Sequence, residues 1–268
     1  MSSRSPRFSR TRLACVVSLV LTIGSPSSPA EPEPPAGWTL TFSDEFDGPS
    51  LDTRRWNPND PWGVERNGEL QAYVPNAFSV KDGILSIEAK RQRAFYDGKT
   101  RDYTSGMAST YGKFSQQYGR FEIRAKAPKG DGLWPAFWML PLPLAWPPEI
   151  DILEILGHTP NEVHLTYHWG VSNETEEDLH SNGEVFKGPD FSEDFHVFAV
   201  EWSAEALVWF VDGVERHRVT DAANIPHQPM YVLMNLALGG GGWPGIVTEE
   251  TPLPSRFDID YVRVYERK

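Results

Sequence analysis

The stretch Trp146-Pro-Pro-Glu-Ile-Asp-Ile-Leu-Glu-Ile-Leu-Gly157 sets three carboxylates, Glu149, Asp151 and Glu154, inside a run of isoleucine and leucine. The run is too short for an isolated helix and rich in β-branched residues, so it reads as a strand. Side chains on a strand alternate, which puts Glu149 and Asp151 on one face and leaves Glu154 out of phase by one residue. A β-bulge in the Ile152 to Leu153 region restores the phase, because one extra residue turns every later side chain to the other face. All three carboxylates then point the same way, and Ile150 and Ile155 point into a core. Without the bulge, an ionisable side chain would be driven into the interior at a cost of several kcal/mol.

The flanking sequence has the same period. In Phe-Glu-Ile-Arg-Ala-Lys-Ala, residues 121 to 127, Phe121, Ile123 and Ala125 alternate with Glu122, Arg124 and Lys126, the pattern of a half-buried strand. Residues 196 to 202 and 206 to 219 follow suit, the latter with Asp212-Gly213 as a hairpin turn signal. Residues 81 to 90 and 256 to 266 alternate as well. Helical periodicity of any length is missing. Many short strands divided by Gly, Pro and Asn predict an all-β sandwich or barrel in one domain, and 268 residues are enough to bury a single large core.

The first thirty residues differ. Arg4, Arg7, Arg10 and Arg12 precede a short apolar run, Leu13 to Ile23, and small residues end at Ala30. That is the layout of a secretory signal peptide. The apolar run is roughly half of the ~20 residues that a membrane anchor needs. The predicted organisation is a signal peptide over 1–30, a Pro/Glu-rich segment over 31–37 and one domain over 38–268, secreted and free of the membrane after cleavage. The single cysteine, Cys15, falls in the leader, so the mature chain can use neither disulfides nor a thiol nucleophile. With the four leader arginines set aside from 25 basic side chains, 21 remain against 37 acidic, a net charge of −16. Such a balance disfavours nucleic acid and anionic membranes and, more weakly, sulfated polysaccharides. A neutral polysaccharide partner and a monomer are expected.

Three neighbouring carboxylates cannot all ionise cheaply, so at least one pKa should rise. Two residues of strand cover about 6.6 Å, which puts the two glutamate Cα atoms on the order of 13 Å apart. Their side chains can reach toward each other, near the roughly 5 Å separation that a retaining glycosidase uses between an ionised nucleophile and a protonated acid. An exposed acidic edge or a metal cluster would show the same residues. Tryptophan weighs against these readings: Trp134, Ala136 and Trp138 share a face just upstream, and sugar rings stack on aromatic faces. Trp134 is assigned to the cleft, and Trp138 is left open between cleft and core.

The motif Glu-Ile-Asp-Ile-Leu-Glu within "LWPAFWML…WPPEIDILEILG" resembles glycoside hydrolase family 16, in its bulged E-x-D-x-x-E branch that includes laminarinases. The likeness continues in "FSDEFDG", "RNGELQAY", "YTSGMAST", "DFHVFAVEW", "NLALGG" and "DIDYVRVY". It implies a jelly-roll β-sandwich of two curved antiparallel sheets, concanavalin A-like, with a glycan crossing the concave face. It further implies Glu149 as nucleophile, Glu154 as acid and then base, and Asp151 as the carboxylate that modulates the nucleophile. His168 resembles a histidine close to the reacting sugar, whereas His164 is expected to face elsewhere. Asn67 and Glu69 match a segment lining the glycone side, or else organise a turn, and Trp243 lies in a loop that caps the cleft. No cofactor is implied for the chemistry, but a structural Ca²⁺ is, with Glu45, the Gly83 carbonyl and Asp260 as ligands.

Some residues depart from the pattern. Met107 stands where laminarinases commonly carry an arginine, Leu153 replaces a frequent methionine, and Gly68 a frequent asparagine. Endo-acting retaining cleavage of β-1,3-glucan is the expectation. Mixed-linkage β-1,3-1,4-glucan, a galactan of the agar or carrageenan type, and transglycosylation stay open beside it. A non-catalytic glycan-binding protein on the same sandwich would be expected to have lost Glu149 or Glu154.

Overall fold

Alternation of the kind seen in residues 121 to 127 builds most of this molecule. In the computed structural model, which describes Met1 and residues 34–142, 144–171 and 178–268, Phe121, Ile123 and Ala125 of the strand Gly119–Lys126 are buried. That strand is central to an eight-stranded antiparallel sheet, paired with His196–Trp202 on one side and Ser255–Arg267 on the other. Asp212 and Gly213, both at positive φ, make the tight turn between Leu207–Val211 and Val214–Val219 at one edge. This is the conformation that the Asp-Gly signal calls for.

A second sheet holds six antiparallel strands in the order Leu179–Lys187, Glu162–Gly170, Glu149–Ile155, Leu133–Pro141, Met230–Leu238 and Met107–Ser109. Between the two sheets lies one hydrophobic core, with Phe121, Phe137, Ile155, Trp209, Leu236 and Val264 among its fully buried members. Each such side chain contributes about 1.5–3 kcal/mol relative to exposure. Two ribbons stand outside the sandwich: Gln71–Tyr73 pairs in parallel with Tyr103–Ser105, and Ala94–Tyr96 forms a hairpin with Lys99–Arg101. No α-helix occurs among the described residues, and no helix is long and apolar enough to cross a membrane.

The jelly-roll sandwich is as the alternating pattern and the family resemblance led one to expect. The compact unit runs from Pro34 to Lys268. Its ends are tied together where the Lys268 amide donates to the Gly37 carbonyl, and where Trp38–Asp44 pairs with the final strand. The leader and the start of the Pro/Glu-rich segment lie outside the described residues.

Candidate active site

Register places the carboxylates. On the side of Leu133–Pro141, Glu154 pairs with Ala136 and Leu153 with Phe137, but the next pair is Asp151 with Trp138, so Ile152 is the extra residue. On the other side Asp151 faces Thr166 and Glu154 faces His164, again two residues opposite one. The bulge therefore falls at Ile152 and Leu153. Both of these side chains, with Ile150 and Ile155, are fully buried in the core. Two consecutive apolar residues inward is what brings Glu149, Asp151 and Glu154 out on the opposite face.

Asp151 is the most enclosed of the three, with its side chain 3% exposed and its Oδ2 without a hydrogen-bond partner. His168, opposite Glu149 in register, brings its Nε2 to 3.3 Å from that oxygen. Glu149, Asp151 and His168 each present one donor atom within 4.8 Å of the others, the one such grouping among the described residues able to hold a metal ion. The Trp134 indole N–H donates to Glu154 Oε1 at 3.0 Å. A second indole, that of Trp146, donates to Glu149.

Electrostatics follow from this enclosure. Burial raises the pKa of all three carboxyls, and Asp151 is pushed up to about 8 even though it shares a hydrogen bond with Glu149. For Glu149 the next cause is the Asp151 charge, which His168 and the Trp146 indole partly oppose. Glu154 is likewise raised by burial and then by Asp151, while the bond from Trp134 pulls it back. Near neutral pH the cluster therefore holds fewer than three negative charges. It can share one proton between Glu149 and Asp151 while Glu154 keeps another.

The residues around the carboxylates are arranged in two groups. Trp134 meets Trp243 edge to face at 5.2 Å, and Trp243 meets His164 at 5.0 Å. Sequence reasoning turned His164 away from the cleft. The structure corrects this, because residues 164 and 168 are four apart on one regular strand and share its face. Burial lowers the pKa of His164, and its Nε2 lacks a partner. In the other group, Trp138 is half-buried and donates through Nε1 to Asn235 Oδ1 at 2.8 Å. Asn235 donates to the Tyr73 hydroxyl, which donates to Glu69 Oε2 at 3.0 Å. Glu69 is thus buried behind Trp138, whereas Asn67 is exposed and shares a turn of positive φ with Gly68.

The residues that the resemblance implies for calcium have contacts of their own. Glu45 takes a two-pronged ion pair from Arg263, at 3.0 and 2.7 Å, and Asp260 is paired with Arg124. Gly83 is the second residue of the Asp82-Gly83 hairpin turn. Each of these two carboxylates is thus engaged by a guanidinium in this structure. Sequence reasoning also missed Trp146 and Asn235. Trp146 was legible as a tryptophan three residues ahead of Glu149, but the bend that returns it was not. Asn235 carries no local signal at all.

A model of glycosyl hydrolases family 16 matches residues 71–263. A glucan endo-1,3-beta-glucosidase A1 of Niallia circulans is 36% identical over 92% of this chain, and the endo-1,3-1,4-beta-glycanase EglC of Rhizobium meliloti is 40% identical over 85%. The matches span 40% and 51% of those two proteins, so the chain corresponds to about half of each or less. Among solved structures, the laminarinase catalytic domain of Thermotoga maritima superposes with a TM-score of 0.77 at 38% identity, covering 86% of this chain and 99% of that one.

Proposed function

Because the chain belongs to glycosyl hydrolase family 16, we propose that it is a secreted, endo-acting β-glucanase that cleaves β-1,3-glucosidic bonds in laminarin-like glucans with retention of configuration. The observation that carries this reading is the bulge at Ile152 and Leu153, which sets Glu149 and Glu154 on one face on either side of Asp151. Ionised Glu149 attacks the anomeric carbon as Glu154 gives its proton to the departing glycosidic oxygen, leaving a glycosyl ester on Glu149. Glu154, now a carboxylate, takes a proton from water, whose oxygen attacks the same carbon and frees Glu149. Asp151 holds the shared proton when Glu149 is charged, and His168 offsets the negative charge of the pair. Export is supported by the leader sequence, and the acidity of the chain suits a neutral glycan.

One observation favours a second substrate. Met107 is fully buried, so the position where laminarinases carry arginine offers no charge to the sugar. Mixed-linkage β-1,3-1,4-glucan is the alternative this supports, and it is the linkage named for EglC. Reducing-sugar release from laminarin, lichenan, agarose, carrageenan and xyloglucan separates the readings, and early anomer analysis by proton NMR reports the stereochemistry. Failure to release sugar from laminarin, or an inverted first product, overturns the proposal.

A further inference from the structure

The face of the six-stranded sheet that carries the carboxylates is open on one side of the catalytic strand and covered on the other. Burial alternates along Glu162–Gly170, and nearly every residue of Leu179–Lys187 is exposed. Across the catalytic strand all nine residues of Met230–Leu238 and all three of Met107–Ser109 are buried. One face of those strands meets the core, so something else covers the other.

The cover is a second hydrophobic cluster, separate from the main core. Leu140, Tyr231 and Leu233 stand on the face of Trp138 and are buried there, with Trp62, Leu142 and Leu144 packed over them. Polar contacts fasten it. Asp60, its side chain 1% exposed, accepts from the Trp62 amide at 3.0 Å, from Arg66 Nη2 at 3.2 Å and from the Tyr96 hydroxyl. Trp62 is thereby laid nearly parallel to Trp138, with centroids 6.2 Å apart at 19°, and the Arg66 guanidinium lies 4.5 Å from the Trp62 ring. One face of Trp138 is thus occupied by protein and closed to a sugar, and Arg66 Nη1 has no partner of its own. The wall stands beside the nucleophile: Leu140 follows the register partner of Ile150, and the charge of Glu149 is felt at the Tyr231 hydroxyl.

We infer that the Trp62 wall, stacked on Trp138 and pinned through Asp60, limits how many sugars the enzyme binds on the glycone side, so that further binding sugars are accommodated beyond Glu154. The inference rests on the β-glucanase reading. The sugar that becomes bonded to Glu149 lies on the wall side, and the leaving group lies on the Glu154 side. Burial of the apolar surface of the wall residues holds the closure in place without substrate.

The test uses laminari-oligosaccharides from tetramer to octamer, labelled at the reducing end. With the wild-type protein cuts are expected to favour bonds with few sugars on their non-reducing side, and Trp62→Ala to raise several-fold the share of cuts deeper in the chain. Arg66→Ala, which leaves the indole pair but loosens its clamp, is expected to shift the pattern in the same direction, and is the variant to read if Trp62→Ala does not fold. Cuts with no bias toward the non-reducing end in the wild-type protein, or a pattern unchanged in a folded variant, overturn the inference. If only another glycan of the panel is cut, the β-1,3 assignment fails and the same ladder in that linkage tests the wall. If no glycan is cut, both fall.

Discussion

The indole N–H of Trp134 donates to Glu154 Oε1 at 3.0 Å, so the group assigned as proton donor is held by a ring that itself faces the cleft. A hydrogen bond to the charged form of a carboxyl favours that form and lowers its pKa. Trp134→Phe removes the donor and keeps much of the ring. The alkaline limb of kcat/KM is expected to move upward in this variant, with a loss of activity of about tenfold. A profile that stays in place would separate the indole from the proton on Glu154.

Glu154→Gln retains the shape of the side chain and loses the proton. Activity on unactivated polysaccharide is expected to fall by about a hundred- to ten-thousand-fold, with binding of laminari-oligosaccharides, followed by tryptophan fluorescence, nearly unchanged. Full activity in this variant would exclude Glu154 as the acid.

Asp151 gives a stability prediction with a definite sign. Its folded-state pKa is raised from 3.8 to about 8 by burial, so between those values the folded protein holds a proton that the unfolded chain has released. The folded state then binds more protons, and stability falls as pH rises from about 4 to about 8. Asp151→Asn removes the share of this dependence that Asp151 contributes, leaving that of Glu149 and Glu154. Its melting temperature is expected to exceed that of the wild type increasingly toward pH 8, by an amount corresponding to at most a few kcal/mol. Parallel melting curves across the window would contradict the buried, protonated Asp151.

Ile152 is the residue that makes the bulge. Ile152→Ala leaves the residue count intact, so Glu154 should stay on the cleft face and the pH optimum should hold, while the lost packing costs about 2–5 kcal/mol in urea unfolding. Deleting Ile152 is different. It restores an even zigzag and turns Glu154 inward, and the product is expected to be unfolded or inactive. An active deletion variant would mean that the bulge does not set the orientation of Glu154.

Local pattern made much of this legible in advance. The bulge was readable because Glu149, Asp151 and Glu154 cannot share a face on an even strand, and an apolar run cannot expose them on both faces. Asp212-Gly213 announced its turn because few other pairs adopt positive φ twice in succession. His164 was misplaced although alternation along its own strand puts it on the face of His168. What that strand does not show is its neighbour Trp243, almost eighty residues later, packed against it. The partners of Glu45 and Asp260 met a similar limit: both residues are acidic wherever they lie, but only the fold sets Arg263 and Arg124 beside them.

By itself, then, the sequence determined the strands, the faces of their residues and the one irregularity that gathers the carboxylates, since these depend on side-chain alternation over a few neighbouring residues. The tertiary structure decided which parts of the sheet stay open to a glycan. That depends on Trp62, held by Asp60, meeting Trp138 and its cluster with Tyr231 from a distant part of the chain, and such contacts are chosen by the burial of the whole molecule and leave no period in any one segment.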